Sequence, residues 1–285
     1  MDQKFIDLYE KYSNGTLNRR EFLKKLAVLA GSTAAAVTLL PLLQKSFLQA
    51  QEVPKDDPRL VIDNITYPAP GGPMKAHFAQ PKEDKKFPGV IVIHENRGLN
   101  PHTEDVARRV ALEGFLAVAP DANSPLGGTP DDPDEGRTLM GKLDGPSTIK
   151  NFVAAVQYLK THPNSTGKVG CMGFCWGGRM TNQVAVNAPD LTAAVPFYGS
   201  QPTAEDVPKI KASLLCHYGG LDTRINAGIE AFEAALKKTS IDYKMFVYEG
   251  AGHAFFNDTG TRYHKEAAAL AWKRTIDFFN EKLKT

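Results

Sequence analysis

The chain of 285 residues carries 34 basic and 32 acidic side chains, a net charge of +2, and 42% of it is hydrophobic. That balance suits one sizeable domain with a large core and gives no electrostatic reason to expect a nucleic-acid partner. Three cysteines (Cys171, Cys175, Cys216) are too few for a disulfide framework and lack zinc-ligand spacing, and the histidines form no metal cluster, so no metal or cofactor is expected.

In chain order, a charged stretch from Met1 to Leu17 comes first and suggests a short helix without an assigned role. Asn18-Arg19-Arg20-Glu21-Phe22-Leu23-Lys24 then precedes a charge-free apolar run from Leu26 to Leu43. Paired arginines, Phe-Leu-Lys and such a run resemble a twin-arginine export signal. The run is also about long enough to span a bilayer, so an uncleaved anchor is a second reading, as is an amphipathic helix. Residues 1–50 are therefore read as leader or anchor, with the twin-arginine machinery as a partner and an exported destination, periplasmic or membrane-anchored facing the periplasm. Leu48-Gln49-Ala50 is a mediocre cleavage site, because Leu48 is large where a small residue is preferred. Residues 51–58 are polar and contain proline, as a linker does.

The domain expected over 59–285 opens with two strands, Leu60–Tyr67 and Met74–Ala79, around the turn signal Pro-Ala-Pro-Gly-Gly. Gly89–His94 is a continuous apolar run, as expected of a parallel strand buried on both faces. Glu104–Leu112 reads as a helix and Phe115–Ala119 as a strand. Residues 121–148 are rich in proline, glycine and aspartate and show no periodicity, so they read either as a binding loop or lid or as a solvated excursion. Ile149, Phe152, Val153, Val156 and Leu159 recur at helical spacing. Leu191–Tyr198, Ala212–Tyr218 and Tyr243–Tyr248 follow as strands, Ile225–Lys238 as a helix, and a last helix carries Trp272, Ile276, Phe279 and Leu283 on one face. The alternation predicts an α/β sandwich, a mostly parallel central sheet with helices on both faces; the chain order of the reactive groups makes the expected fold class an α/β-hydrolase.

Chemistry concentrates at Gly173-Phe174-Cys175-Trp176-Gly177-Gly178, between an apolar strand and a helix. Small-x-nucleophile-x-Gly in that context reads as a nucleophile elbow, a sharp turn that lifts the central side chain clear of the sheet. The following helix N-terminus favours thiolate. Alone, the hexapeptide also fits a plain turn with an inert buried thiol. Downstream, Asp222 follows the strand Cys216-His-Tyr-Gly-Gly-Leu, and His253 follows Tyr248-Glu-Gly-Ala-Gly. Nucleophile, acid and histidine in that order, each just after a strand, place three reactive groups at the carboxyl edge of one sheet.

The elbow, Gly-Gly-Leu-Asp222, Gly-Ala-Gly-His253 and the pair His94-Glu95 resemble the dienelactone hydrolase family from about Leu60 to Leu283. The resemblance implies a Cys175-His253-Asp222 triad and a thiol-activating Glu95. It implies hydrolysis of an ester or lactone of a small molecule through a thioester, with the backbone N–H groups of Asn96 and Trp176 as oxyanion hole. Two departures are visible. The family's carboxylate-binding arginine four residues after the histidine is Asn257 here, and Asp121 is followed by Ala122-Asn123-Ser124 rather than by a second arginine. Arg97 and Arg224 lie in the right loops to substitute, or serve as surface or structural arginines. Two other classes stay open on the residues alone: a thiol redox or sensor protein, and a non-catalytic binding module on the same fold.

Overall fold

The computed structural model describes residues 3–13, 17–48 and 52–285. Three helices come first: α1 (Gln3–Ser13), α2 (Arg19–Ala30) and α3 (Thr33–Leu48). Asn18 caps α2 through a capping box with Glu21, and Gly31 ends it in the left-handed conformation at φ 80°. The chain bends by 109° there. The apolar run therefore lies in two helices, and among the described residues no single helix is long and apolar enough to cross a membrane. Leu8, Tyr12, Leu17, Phe22, Leu26, Ala36 and Leu43 bury one another in a cluster of their own, with Tyr12 stacked on Phe22 at 4.6 Å. Of the candidate cleavage site, Gln49 and Ala50 lie outside the described residues, as does Gln51 of the expected linker. The part of that linker that is described is bonded to the domain: the N–H groups of Glu52 and Val53 donate to Asp105.

Eight strands form one sheet in the order β1-β2-β4-β3-β5-β6-β7-β8. β1 (Leu60–Tyr67) and β2 (Met74–Pro81) make an antiparallel hairpin, with Leu60 opposite Pro81 and Tyr67 opposite Met74. β3 (Phe87–Ile93), α4 (Pro101–Leu112) and β4 (Leu116–Pro120) follow, and β4 runs antiparallel to β2 but parallel to β3. Next come α5 (Pro133–Met140), α6 (Gly145–Thr161), β5 (Ser165–Phe174), α7 (Trp176–Asn187), β6 (Ala193–Phe197) and β7 (Ser213–Gly219). α8 (Thr223–Asn226), α9 (Ile229–Leu236), β8 (Tyr243–Tyr248) and α10 (Lys265–Leu283) complete the chain, and β3 to β8 pair in parallel.

The period of two along β3 shows why the sheet is covered twice. Ile91 and Ile93 enter a core with Phe152, Val156 and Leu159 of α6 and Val184 of α7. Val90 and Val92 enter the opposite core with Val106 and Val110 of α4 and Phe278, Phe279 and Leu283 of α10. This is the α/β sandwich with a mostly parallel sheet expected from the alternation.

Two segments differ from the sequence reading. Residues 121–148 contain a short 3-10 turn, Ser124–Leu126, and the helix α5. Asp132 caps α5 by accepting from the Asp134 N–H, Pro133 occupies its first turn, and Asp134 and Glu135 face its positive end. Those start signals are real, but eight residues are too few to show a period. The expected helix Ile225–Lys238 is two pieces, α8 and α9, separated at Gly228, where a Cβ would lie 2.3 Å from Gln201 Oε1.

Candidate active site

The turn between β5 and α7 puts Cys175 at φ 56° and ψ −111°. A side chain at positive φ is strained by about 1–3 kcal/mol and persists only where its surroundings over-determine it. Here the Cys175 N–H donates to Phe197 O at 3.0 Å and its carbonyl accepts from the Arg179 N–H at 3.1 Å. The glycines are dictated by close approach: a Cβ on Gly177 would stand 2.4 Å from Ile93 O, and one on Gly178 2.4 Å from Phe197 O. α7 can start directly above β3 and β6 only because both residues lack side chains.

Asp222 follows β7 and caps α8, accepting from the Ile225 N–H at 3.4 Å through Oδ1. Its Oδ2 lies 2.5 Å from His253 Nδ1. The two loops are tied together by backbone as well, through Gly220 N–H to Tyr248 O at 2.7 Å and Leu221 N–H to Ala251 O at 2.9 Å. Asp258 anchors the far end of the histidine loop to α4, with Oδ2 2.6 Å from Arg109 Nη2 and Oδ1 3.0 Å from His102 Nδ1.

Glu95 follows β3. Its Oε1 accepts from the Tyr198 hydroxyl at 3.5 Å and its Oε2 from Asn257 Nδ2 at 3.3 Å. Its neighbour His94 is fully buried: Nε2 accepts from the Ala122 N–H at 3.1 Å, so Nδ1 carries the proton and donates to Glu95 O at 2.7 Å. The His94 ring stacks on Trp176 at 5.5 Å, joining the loops after β3, β4 and β5. Asn96 is exposed in the loop beyond Glu95, on the same edge of the sheet as the elbow.

The thiol does not rest as thiolate. Burial, then the negative charge of Glu95, pushes the Cys175 thiol up to about 12, against the opposing pull of the Trp176 N–H and of Arg224 and Arg262. A helix N-terminus alone would stabilise the anion; desolvation outweighs it. Of the arginines weighed as substitutes, Arg97 is buried and paired with Asp134 of α5 at 3.4 Å. Arg224 is exposed and close enough to act on the thiol. Arg262, which has no distinguishing signal in the sequence, does the same. Tyr198 and Asn257 as partners of Glu95 were likewise invisible along the chain, since they lie 103 and 162 residues from it.

Among the described residues no group of three or more His, Cys, Asp or Glu side chains is arranged to hold a metal ion. All three cysteines are free thiols. Cys171 packs into the core under α6 and bonds Thr181, whereas Cys175 packs against the core on the other face of the sheet.

The pattern that defines the Dienelactone hydrolase family matches residues 74–283. A Synechocystis protein named "Putative carboxymethylenebutenolidase" is 34% identical over 238 residues, covering 77% of this chain and 96% of that one. A Saccharolobus solfataricus protein of the same name is 33% identical over 252 residues, covering 75% and 96%. Among solved structures, a dienelactone hydrolase-like promiscuous phosphotriesterase from metagenomic libraries superposes with a TM-score of 0.71 at 26% identity, covering 79% of this chain and 99% of that one.

Proposed function

This chain belongs to the dienelactone hydrolase family and is an ester or lactone hydrolase; on that premise we propose that it works through a Cys175-His253-Asp222 triad and a thioester acyl-enzyme. The observation that carries the proposal is the 2.5 Å contact between His253 Nδ1 and Asp222 Oδ2, in loops at the strand edge where the strained elbow presents Cys175.

The chemistry follows from the resting thiol. Its proton passes by way of Glu95 to His253 Nε2 as substrate enters, while Asp222 holds the imidazole's tautomer and stabilises the imidazolium. Sγ attacks the carbonyl carbon, and the oxyanion is received by the backbone N–H groups of Trp176 and Asn96; one such donor is worth roughly 2.7–4 kcal/mol of transition-state stabilisation. Collapse breaks the C–O bond, and the imidazolium gives its proton to the leaving alkoxide. His253 then takes a proton from water, hydroxide attacks the thioester, and the acid departs as the thiol is regenerated. A redox or sensor role finds no support in the thiols, because Cys171 and Cys175 face opposite cores.

The test is p-nitrophenyl acetate hydrolysis before and after iodoacetamide treatment at alkaline pH. A burst and turnover that vanish on alkylation, and in Cys175→Ala, support the enzyme. Alkylation without turnover in the untreated protein would favour a sensor, and no reaction with either reagent a binding module.

For the leader, the reading supported by Arg19-Arg20 and Phe22-Leu23-Lys24 is export by the twin-arginine route to the periplasm or its membrane face, with 1–50 as leader, 51–58 as linker and 59–285 as the catalytic domain. Replacing both arginines by lysine should strand the protein in the cytoplasm; unchanged export in fractionated cells refutes the route.

A further inference from the structure

We propose that Tyr198 and Asn257 are positioning residues that hold the Glu95 carboxylate between them, and that they do so as neutral donors, leaving its charge unpaired for the thiol. The inference rests on the reading of Cys175 as nucleophile and Glu95 as its activator, and adds what aims that activator.

Both carboxylate oxygens are engaged. Tyr198 Oη donates to Oε1 at 3.5 Å and Asn257 Nδ2 to Oε2 at 3.3 Å. Neither donor is free to turn. Asn257 Oδ1 accepts from the Thr259 N–H at 3.1 Å and from Thr259 Oγ1 at 2.6 Å, so the amide must present its NH2 group to Glu95. Tyr198 is fully buried, its N–H donates to His217 O at 2.7 Å, and its ring meets His253 edge-on at 5.1 Å. One hydroxyl-bearing ring thus touches the carboxylate and the histidine at once.

Backbone strain points the same way. The non-glycine residues with positive φ among the described residues are Cys175 at 56°, Tyr198 at 38° and Ala254, next to His253, at 64°. A bulky aromatic residue in that region is an outlier, and strain of this kind collects where a fold aims a functional group. An ordinary core tyrosine on β6's continuation would have no need of it.

The neutrality of the pair also matters. Asn257 stands where the family resemblance places an arginine. A guanidinium 3.3 Å from Glu95 would form a charge-assisted pair and hold the carboxylate as its own partner. An amide and a phenol orient the group over long hydrogen bonds without adding a positive charge to it.

The experiment is a double-mutant cycle on the full-length chain, reading kcat and KM for p-nitrophenyl acetate and the iodoacetamide alkylation rate. Tyr198→Phe, which keeps the ring, and Asn257→Ala should each lower kcat about tenfold, the value of a hydrogen bond to a charged group at the weak end of its range, with KM little changed. Each should also alter the alkylation rate of the thiol. In a Glu95→Gln background both should add less than twofold, because residues acting through one group are not additive. Asn257→Gln should recover part of the loss where Asn257→Ala does not. Full additivity with Glu95→Gln, or wild-type kcat in both single variants, overturns the proposal. If Cys175→Ala is inactive and Glu95→Gln is impaired while Tyr198→Phe and Asn257→Ala are not, only this inference fails. Activity retained by Cys175→Ala would instead undo the reading beneath it.

Discussion

Replacing Asp222 by asparagine should separate the catalytic role proposed for it from its role in the fold. In the fold the aspartate has two jobs: Oδ1 caps α8 by accepting from the Ile225 N–H, and Oδ2 sits 2.5 Å from His253 Nδ1. Asparagine performs the first nearly as well, since Asn and Asp are equivalent N-caps, so the cap itself should change by less than about 0.5 kcal/mol. It fails at the second. The amide presents either a neutral acceptor, which no longer stabilises an imidazolium, or an NH2 group, which forces the proton to Nε2 and leaves no base at the thiol. The contact is well shielded, with the aspartate side chain 6% and the histidine 17% exposed, so water supplies little compensation. The corresponding change in a serine-histidine-aspartate enzyme lowers kcat about 10⁴-fold. We expect a loss of about 10³–10⁴ here, about 4–5.5 kcal/mol at 1.36 per decade, milder than Cys175→Ala. The assay is steady-state p-nitrophenyl acetate hydrolysis beside urea unfolding of the same preparations. A loss below tenfold in a protein of wild-type stability would refute the role assigned to Asp222.

Cys175→Ala should abolish turnover with the fold intact, and more than a tenth of wild-type kcat would remove the thiol from the mechanism. With its ionisation pushed up to about 12, the resting thiol should react with iodoacetamide at a rate still climbing above pH 9; a plateau near pH 8–9, the range of an ordinary cysteine, contradicts a buried thiol. Gly177→Ala should destabilise by about 2 kcal/mol or more, because the added Cβ meets two backbone carbonyls, Ile93 O at 2.4 Å and His94 O at 2.5 Å; an unchanged urea midpoint would show that α7 can shift. Acid should destabilise the fold through His217, which burial and then Arg274 depress to about 3. Below about 6.5 the unfolded chain binds a proton that the fold refuses, so this contribution is lost between pH 6.5 and about 3, at up to about 1.4 kcal/mol per pH unit. His217→Gln should flatten that limb of a pH series of urea titrations, and an unaltered slope would assign the acid sensitivity elsewhere.

How far the sequence reaches depends on whether a feature is local. β3 is legible because a strand covered on both faces needs an unbroken apolar run, and Val90–Ile93 supplies it. The elbow is legible because Asp222 and His253 follow it in order, each just after a strand; three glycines and a cysteine within six residues would alone also fit a plain turn. α5 escapes notice because Pro133, Gly136 and Gly141 crowd an eight-residue helix, although Asp132-Pro133-Asp134-Glu135 is a good start signal. The bend at Gly31 has a local signal, a left-handed glycine cap followed by Ser32, whereas Gln201, which meets the Gly228 break, lies far away along the chain. The partners of Glu95 come from the ends of β6 and of the histidine loop, so only closure of the sheet brings them to it. The same holds for the protonated state of the thiol, which desolvation sets.

That protonated state bears on how a cysteine enzyme would work in the exported location proposed for it. A thiolate is the species that oxidants and disulfides attack, and low-pKa exposed thiols are the vulnerable ones. Here burial and the Glu95 charge act together to keep Cys175 protonated, and Cys171 and Cys216 are both pushed up to about 12 by burial alone as the leading cause. On the proposed mechanism, a nucleophile stored in this form is protected when idle but must be ionised during the catalytic cycle. The carboxylate whose charge suppresses ionisation at rest is also the one proposed to receive the proton, so its position has to be fixed closely. Two neutral donors and a strained tyrosine on Glu95 meet that requirement. An arginine at position 257 would have neutralised the same charge, weakening both the protection at rest and the base in turnover.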